Sequence, residues 1–115
     1  MTMPEMVTTE RLRLPLWTPE DAATILAGGR RDGWHRDYPR QDDQDVASIY
    51  QPGDTWAPRH VVRGTTVLGS IGFHGPPEPA ADGVPAAEVG FGLVDEAHGW
   101  GFATEALAAV LTETD

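Results

Sequence analysis

The chain has 115 residues, enough for one domain with a modest core and too few for two. Hydrophobic residues make up 40%, which places it among globular chains, and the absence of cysteine excludes disulfides, thiolate nucleophiles and Cys-based metal sites. A net charge of −10 argues against nucleic acid as a partner, no apolar run is long enough for a membrane span, and residues 1–11 hold no apolar signal core, so a cytoplasmic location is expected.

The charge is unevenly spread. Eight Arg face ten acids within residues 1–63, whereas residues 64–115 carry eight acids and no Lys or Arg. Arg11 to Trp17 reads as a first strand, with Leu12, Leu14 and Leu16 on one face. Pro15 makes that strand an edge strand or a bent one. Thr18-Pro19-Glu20-Asp21 starts a helix: Thr at the N-cap, Pro at the first helical position, acids in the first turn, and Asp21 placed as in a capping box. The helix is predicted to stop at Gly28-Gly29.

Residues 30–40 form a loop dense in Arg and aromatics. A second helix is expected over about 42–50, then a turn at Gln51-Pro52-Gly53-Asp54. Arg59 to Arg63 and Thr65 to Phe73 read as a hairpin turning at Gly64. Residues 74–85 read as a Pro- and Gly-rich loop without regular structure. Ala86 to Val94 is the next strand, with Val89, Phe91 and Leu93 alternating. From Ala103 the apolar positions 103, 106, 107, 110 and 111 fall on one face of a helix predicted over 101–112.

Between that strand and helix lie Gly99 and Gly101, which allow backbone geometry forbidden to residues with a side chain. A glycine turn opening a helix aims unpartnered N–H groups at one point and adds the positive end of the helix dipole, so it suits an anion such as phosphate. Thr104 adds a hydroxyl. The spacing matches neither the P-loop nor G-x-G-x-x-G, and by itself it also fits a plain strand-to-helix turn without a ligand.

Glu88-Val89-Gly90-Phe91 followed by Gly99-Trp100-Gly101-Phe102-Ala103-Thr104-Glu105-Ala106 resembles the acetyl-CoA motif of the GNAT N-acetyltransferases, in particular the branch that acetylates ribosomal-protein N-termini and its small-molecule relatives. The family pattern is Arg/Gln-x-x-Gly-x-Gly/Ala. Gly101 and Ala103 fill its small positions, and His98 stands where Arg or Gln is expected. The resemblance extends over nearly the whole chain. It implies an α/β (α+β) single domain over residues 1–115, with a mixed, mostly antiparallel central sheet flanked by helices. The family continues with a fifth strand and a further helix, and the chain stops before them. It therefore reads as GNAT-like but lacking the C-terminal third, with no residue to act as general acid toward the leaving thiolate. An exposed edge of the 86–94 strand would invite a second copy, a homodimer.

The resemblance also implies a function: transfer of an acetyl group from acetyl-CoA, as co-substrate, directly to a primary amine of a small molecule or a protein N-terminus. The N–H groups of Gly99, Trp100, Gly101, Phe102, Ala103 and Thr104 would cradle the phosphates. The backbone at Leu93 and Val94 would bond the pantetheine, and His98 would bond a phosphate when protonated. With no basic residue in this half of the sequence, coenzyme affinity is expected to be weakened. Glu88 would take the amine proton, with His35 and His74 as alternative bases. Trp34, His35, Asp37 and Tyr38 would wall the acceptor pocket, or else pin their loop onto the core. No ligand spacing for a metal is apparent. The alternative is a non-catalytic module that dimerises or binds a protein partner through its incomplete sheet.

Overall fold

The computed structural model describes residues 4–48, 50, 51, 53, 57–73, 78, 79, 85, 86 and 89–113. Five strands form one antiparallel sheet in the order β1-β2-β3-β4-β7: β1 Met6–Thr8, β2 Arg13–Pro15, β3 Arg59–Arg63, β4 Thr66–Phe73 and β7 Val89–Leu93. Helices α1 (Pro19–Leu26) and α2 (Gln41–Ala47) join β2 to β3, and α3 (Phe102–Glu113) follows β7. The expected fold class, a largely antiparallel sheet flanked by helices, is the one observed. The parallel component shrinks to a single bridge, Trp34 to Val67.

Local chemistry explains most boundaries. Thr18 caps α1 by accepting from the Asp21 N–H at 3.0 Å, while the Asp21 carboxylate accepts from the Thr18 N–H at 3.1 Å. This is the reciprocal box expected from the sequence. Gly28 ends α1 at φ +76°, and Gly64 turns the β3–β4 hairpin at φ +61°. The second helix is shorter than expected: Ser48 caps α2, and its hydroxyl turns back to the Asp45 carbonyl at 2.6 Å.

Three expectations are corrected. Of the two readings of Pro15, the edge strand is overturned, because β1 pairs along the outer side of β2. Pro15 is tolerated there because the inner ladder is sparse, touching β3 only at Arg13–Val62 and Leu16–Arg59. Residues 74–85 are not wholly irregular: β5 (Glu78–Pro79) pairs with β6 (Pro85–Ala86) as a separate two-stranded piece. The stripe of α3 holds at Ala103, Ala106, Leu107 and Val110 but differs at its ends: Phe102 joins it buried, and Leu111 is 41% exposed.

The core gathers Leu12, Leu14, Trp17, Ile25, Tyr38, Val61 and Ile71 with Leu93, Val94 and the buried stripe of α3. α3 touches both β7 and β1, so it spans the sheet from one edge to the other. At the β4–β7 junction the backbones approach so closely that a Cβ on Gly69 would sit 2.0 Å from the Gly92 carbonyl oxygen. Only glycine fits there, and the junction sets the position of β7 and of everything that follows it.

Candidate active site

Leaving β7, the chain makes a single 3-10 turn at Asp95–Ala97 and then passes through Gly99 (φ +85°) and Gly101 (φ +80°) into α3. Both glycines occupy the left-handed region, as the sequence predicts. The Glu105 N–H closes the first helical bond to the Gly101 carbonyl at 3.0 Å. The N–H groups of Phe102, Ala103 and Thr104 therefore sit in the first turn without an acceptor inside the helix.

These residues surround one groove of about 460 Å³. Leu93, His98, Gly99, Gly101, Phe102, Ala103 and Thr104 line it together with Phe91, Gly92, Ala97 and Arg40. A Cβ on Gly99 would meet nothing within 4 Å, so the turn is open on its outer side. Phe91 supplies an apolar wall, 52% exposed. Thus seven of the nine positions expected to hold the coenzyme meet around one space. The other two do not face it. Val94 is buried at 1% exposure and spends its N–H on the Leu68 carbonyl at 2.9 Å. Trp100, 59% exposed, lines a second cavity instead, with its ring stacked on Phe102.

His98 takes a position that its sequence context does not disclose. Its Nε2–H donates to the Leu93 carbonyl at 3.0 Å, and its Nδ1 lies 3.9 Å from the exposed Asp95 carboxylate. The same Leu93 oxygen accepts from Nη1 of Arg40 at 3.0 Å. Arg40 is the site residue that sequence reasoning missed. It lies 53 residues upstream of its partner, in a loop whose Arg content the sequence does show.

The expected acceptor residues divide. Trp34 and Tyr38 are core residues, Tyr38 at 0% exposure, and their rings meet edge to face at 5.2 Å. The Tyr38 hydroxyl donates to Nδ1 of His60 at 3.0 Å, and Nε2–H of His60 donates to Asp21 at 3.0 Å. Arg31 completes the chain on the other Asp21 oxygen at 2.8 Å. Burial pushes the Asp21 carboxyl up, but the bonds from His60 and Thr18 and the nearby imidazole outweigh it and hold Asp21 well below the usual carboxylate range. Burial, then the charges of Asp43 and Asp21, push the Tyr38 phenol up. This loop is pinned onto the core by its aromatics, one of the two readings the sequence left open.

His35 and Asp37 are nearer the surface. The Asp37 N–H donates to Nδ1 of His35 at 3.1 Å, so Nε2 carries the proton that reaches Glu96 at 3.0 Å. The bond from His35 lowers the Glu96 carboxyl. His35 and Glu96 line the second cavity, about 760 Å³, with Arg11, Arg63, Trp100 and Phe102. The Arg11 and Arg63 guanidiniums lie over the Phe102 ring, at 4.7 and 5.1 Å from its centre. Glu88 and His74 lie outside the described residues. Among those described, no group of three potential metal ligands gathers, and no helix is long and apolar enough to cross a membrane.

The site thus combines a strand, the Gly99–Gly101 turn and the N-terminus of a helix laid across an antiparallel sheet. Residues 11–114 match the family model for the Acetyltransferase (GNAT) domain, and the chain belongs to that family. Solved structures agree on the fold. A protein from Bordetella pertussis described as a GnaT-family acetyltransferase superposes with TM-score 0.59 at 17% identity, over 97% of this chain and 72% of that one. A GNAT-family acetyltransferase from Bacillus anthracis gives 0.56 at 17% identity, over 93% and 64%. A protein from Vibrio cholerae described as a ribosomal-protein-serine acetyltransferase gives 0.53 at 18% identity, over 96% and 67%. The chain thus spans roughly two thirds of the length of these three proteins. No curated protein matches the sequence.

Proposed function

We propose that this chain binds acetyl-CoA in the groove beside α3 and moves its acetyl group directly to a primary amine. The observation that carries the reading is the convergence of the Gly99–Gly101 turn, the open N–H groups of the first turn of α3 and the end of β7 on one space of about 460 Å³. The groove fits the molecule in its parts: amide donors and a helix dipole for phosphates, and the Phe91 wall for the apolar arm. It fits less well at Leu93, whose carbonyl is already engaged by Arg40 and His98.

Acetyl-CoA, when bound, supplies the acetyl group already activated as a thioester. The protein's own tasks are then few. The N–H groups of residues 102–104 hold negative charge at the mouth of the groove. The double-glycine turn keeps side chains out of the way of that charge. Glu88 is proposed as the group that takes a proton from the attacking amine, since an ammonium has no free pair to offer. The acceptor is proposed to be an amine of a small molecule or of a protein N-terminus.

Titration with acetyl-CoA, followed by an assay of thiol release with a panel of amines, tests this. Saturable binding and amine-dependent thiol release support it, with Glu88→Gln lowering kcat by about a hundredfold or more while leaving coenzyme affinity near that of the wild type. Saturable binding with no turnover on any amine supports the non-catalytic alternative. No binding at millimolar coenzyme removes the proposal.

A further inference from the structure

This inference rests on the reading above and concerns how the groove meets the charge of its ligand. The half of the sequence that forms the turn and α3 holds no Lys or Arg. A helix N-terminus offers only about half a positive charge. The fold supplies a full one from elsewhere: among the groove's lining residues, Arg40 is the fixed cation.

Its placement is built rather than incidental. The Arg40 N–H donates to Asp43 at 2.8 Å, and the other oxygen of Asp43 accepts from the Ser70 hydroxyl on β4. Asp43 is 3% exposed, so this link ties the start of α2 to the sheet. The half-buried guanidinium then reaches the end of β7, where Nη1 donates to Leu93 beside the Nε2 of His98. The guanidinium lies against the strand beside Gly92, where a Cβ would stand 3.4 Å from Nη1. Among the described residues the guanidinium has no carboxylate within 4.0 Å and one hydrogen bond of the five it can donate.

We propose that Arg40 neutralises the diphosphate of the bound coenzyme, working from the edge of β7 beside the open N–H groups of α3. A planar fork suits phosphate oxygens, and its remaining donors serve two of them at once.

The test compares coenzyme A with pantetheine, which lacks phosphate, on the wild type, Arg40→Gln and Arg40→Gln/His98→Arg. Affinities are read by titration at low and high salt. Arg40→Gln is expected to weaken coenzyme A by about tenfold or more, to flatten its salt dependence and to leave pantetheine unchanged. The double variant is expected to recover much of the loss, because residue 98 reaches the same carbonyl. An unchanged affinity for coenzyme A, or an equal loss for pantetheine, overturns the proposal. If Arg40→Gln melts early, Arg40→Lys carries the test, keeping the charge without the fork, with an intermediate loss expected and none overturning the idea. Failure of the wild type to bind coenzyme A overturns both this inference and the function proposed above, whereas binding that ignores residue 40 overturns this inference alone.

Discussion

Asp21, His60 and Tyr38 form a buried polar chain in which every bond has one direction, so removing a member strands its neighbour. Tyr38→Phe leaves Nδ1 of His60 without its donor and is expected to cost about 1–2 kcal/mol in chemical denaturation. Asp43 offers a sharper contrast. Burial raises its carboxyl, against the bonds from Ser70 and the Arg40 N–H. An Asn there can accept from the Arg40 N–H and donate to the Ser70 hydroxyl, so Asp43→Asn is expected to lie within about 1 kcal/mol of wild type. Asp43→Ala strands both partners and is expected to cost about 2–3 kcal/mol. None of these pairings was legible in the sequence. A Tyr, a His and an Asp at 38, 60 and 21 have no spacing that links them, and Tyr38 reads as readily as a pocket wall as a core ring.

Elements were far more legible than contacts, because their signals are local. The Thr18–Asp21 box, the Gly64 turn and the Gly99–Gly101 turn are each set by a few adjacent residues, and each stands where the sequence puts it. β1 was missed because three residues cannot establish an alternation. The buried stripe of α3 was legible through Ala103, Ala106, Leu107 and Val110 and differed only at its ends, where Phe102 joins it and Leu111 leaves it. The groove itself was legible through its glycines, which separate by function. Gly99→Ala meets no atom and bears only the cost of its positive φ, an expected loss of about 1 kcal/mol. Gly69→Ala drives a Cβ into the Gly92 carbonyl. It is expected to cost about 3 kcal/mol or more and to abolish ligand binding by displacing β7, as thermal melts and titration on the same samples would show.

For the whole molecule, charge is the property that sequence halves misrepresent. Counting residues 64–115 alone leaves the groove without a cation, yet the fold returns Arg40 to it from the start of α2. Charge also shapes the acid limb of stability. The folded carboxyl of Asp21 binds its proton less readily than the ordinary value of 3.8. Its contribution is therefore fully present above that value and is lost as the pH falls below it. Asp43 has the opposite sign: its folded carboxyl favours the proton, so its contribution is present at low pH and is lost as the pH rises through its folded value. Asp21→Asn is expected to flatten the loss of stability below about pH 4, and Asp43→Asn to leave that limb in place, in denaturant midpoints measured from pH 2 to 7.

The clasp between Arg11 and Glu105 joins positions 94 apart in the chain. Arg11 donates to Glu105 through Nε at 2.7 Å and through its backbone N–H at 3.0 Å, Thr9 adds a third bond, and Nη1 of Arg11 holds the Trp100 carbonyl. The turn that frames the groove is therefore fastened by one of the earliest segments of the chain, across a sequence separation whose closure costs entropy before its contacts repay it. Helix α3 can form beforehand with nothing to aim it. In refolding, the ability to capture coenzyme should consequently appear with the slowest native signal and lag behind helix formation, so that the groove keeps time with the whole fold and not with its own motif.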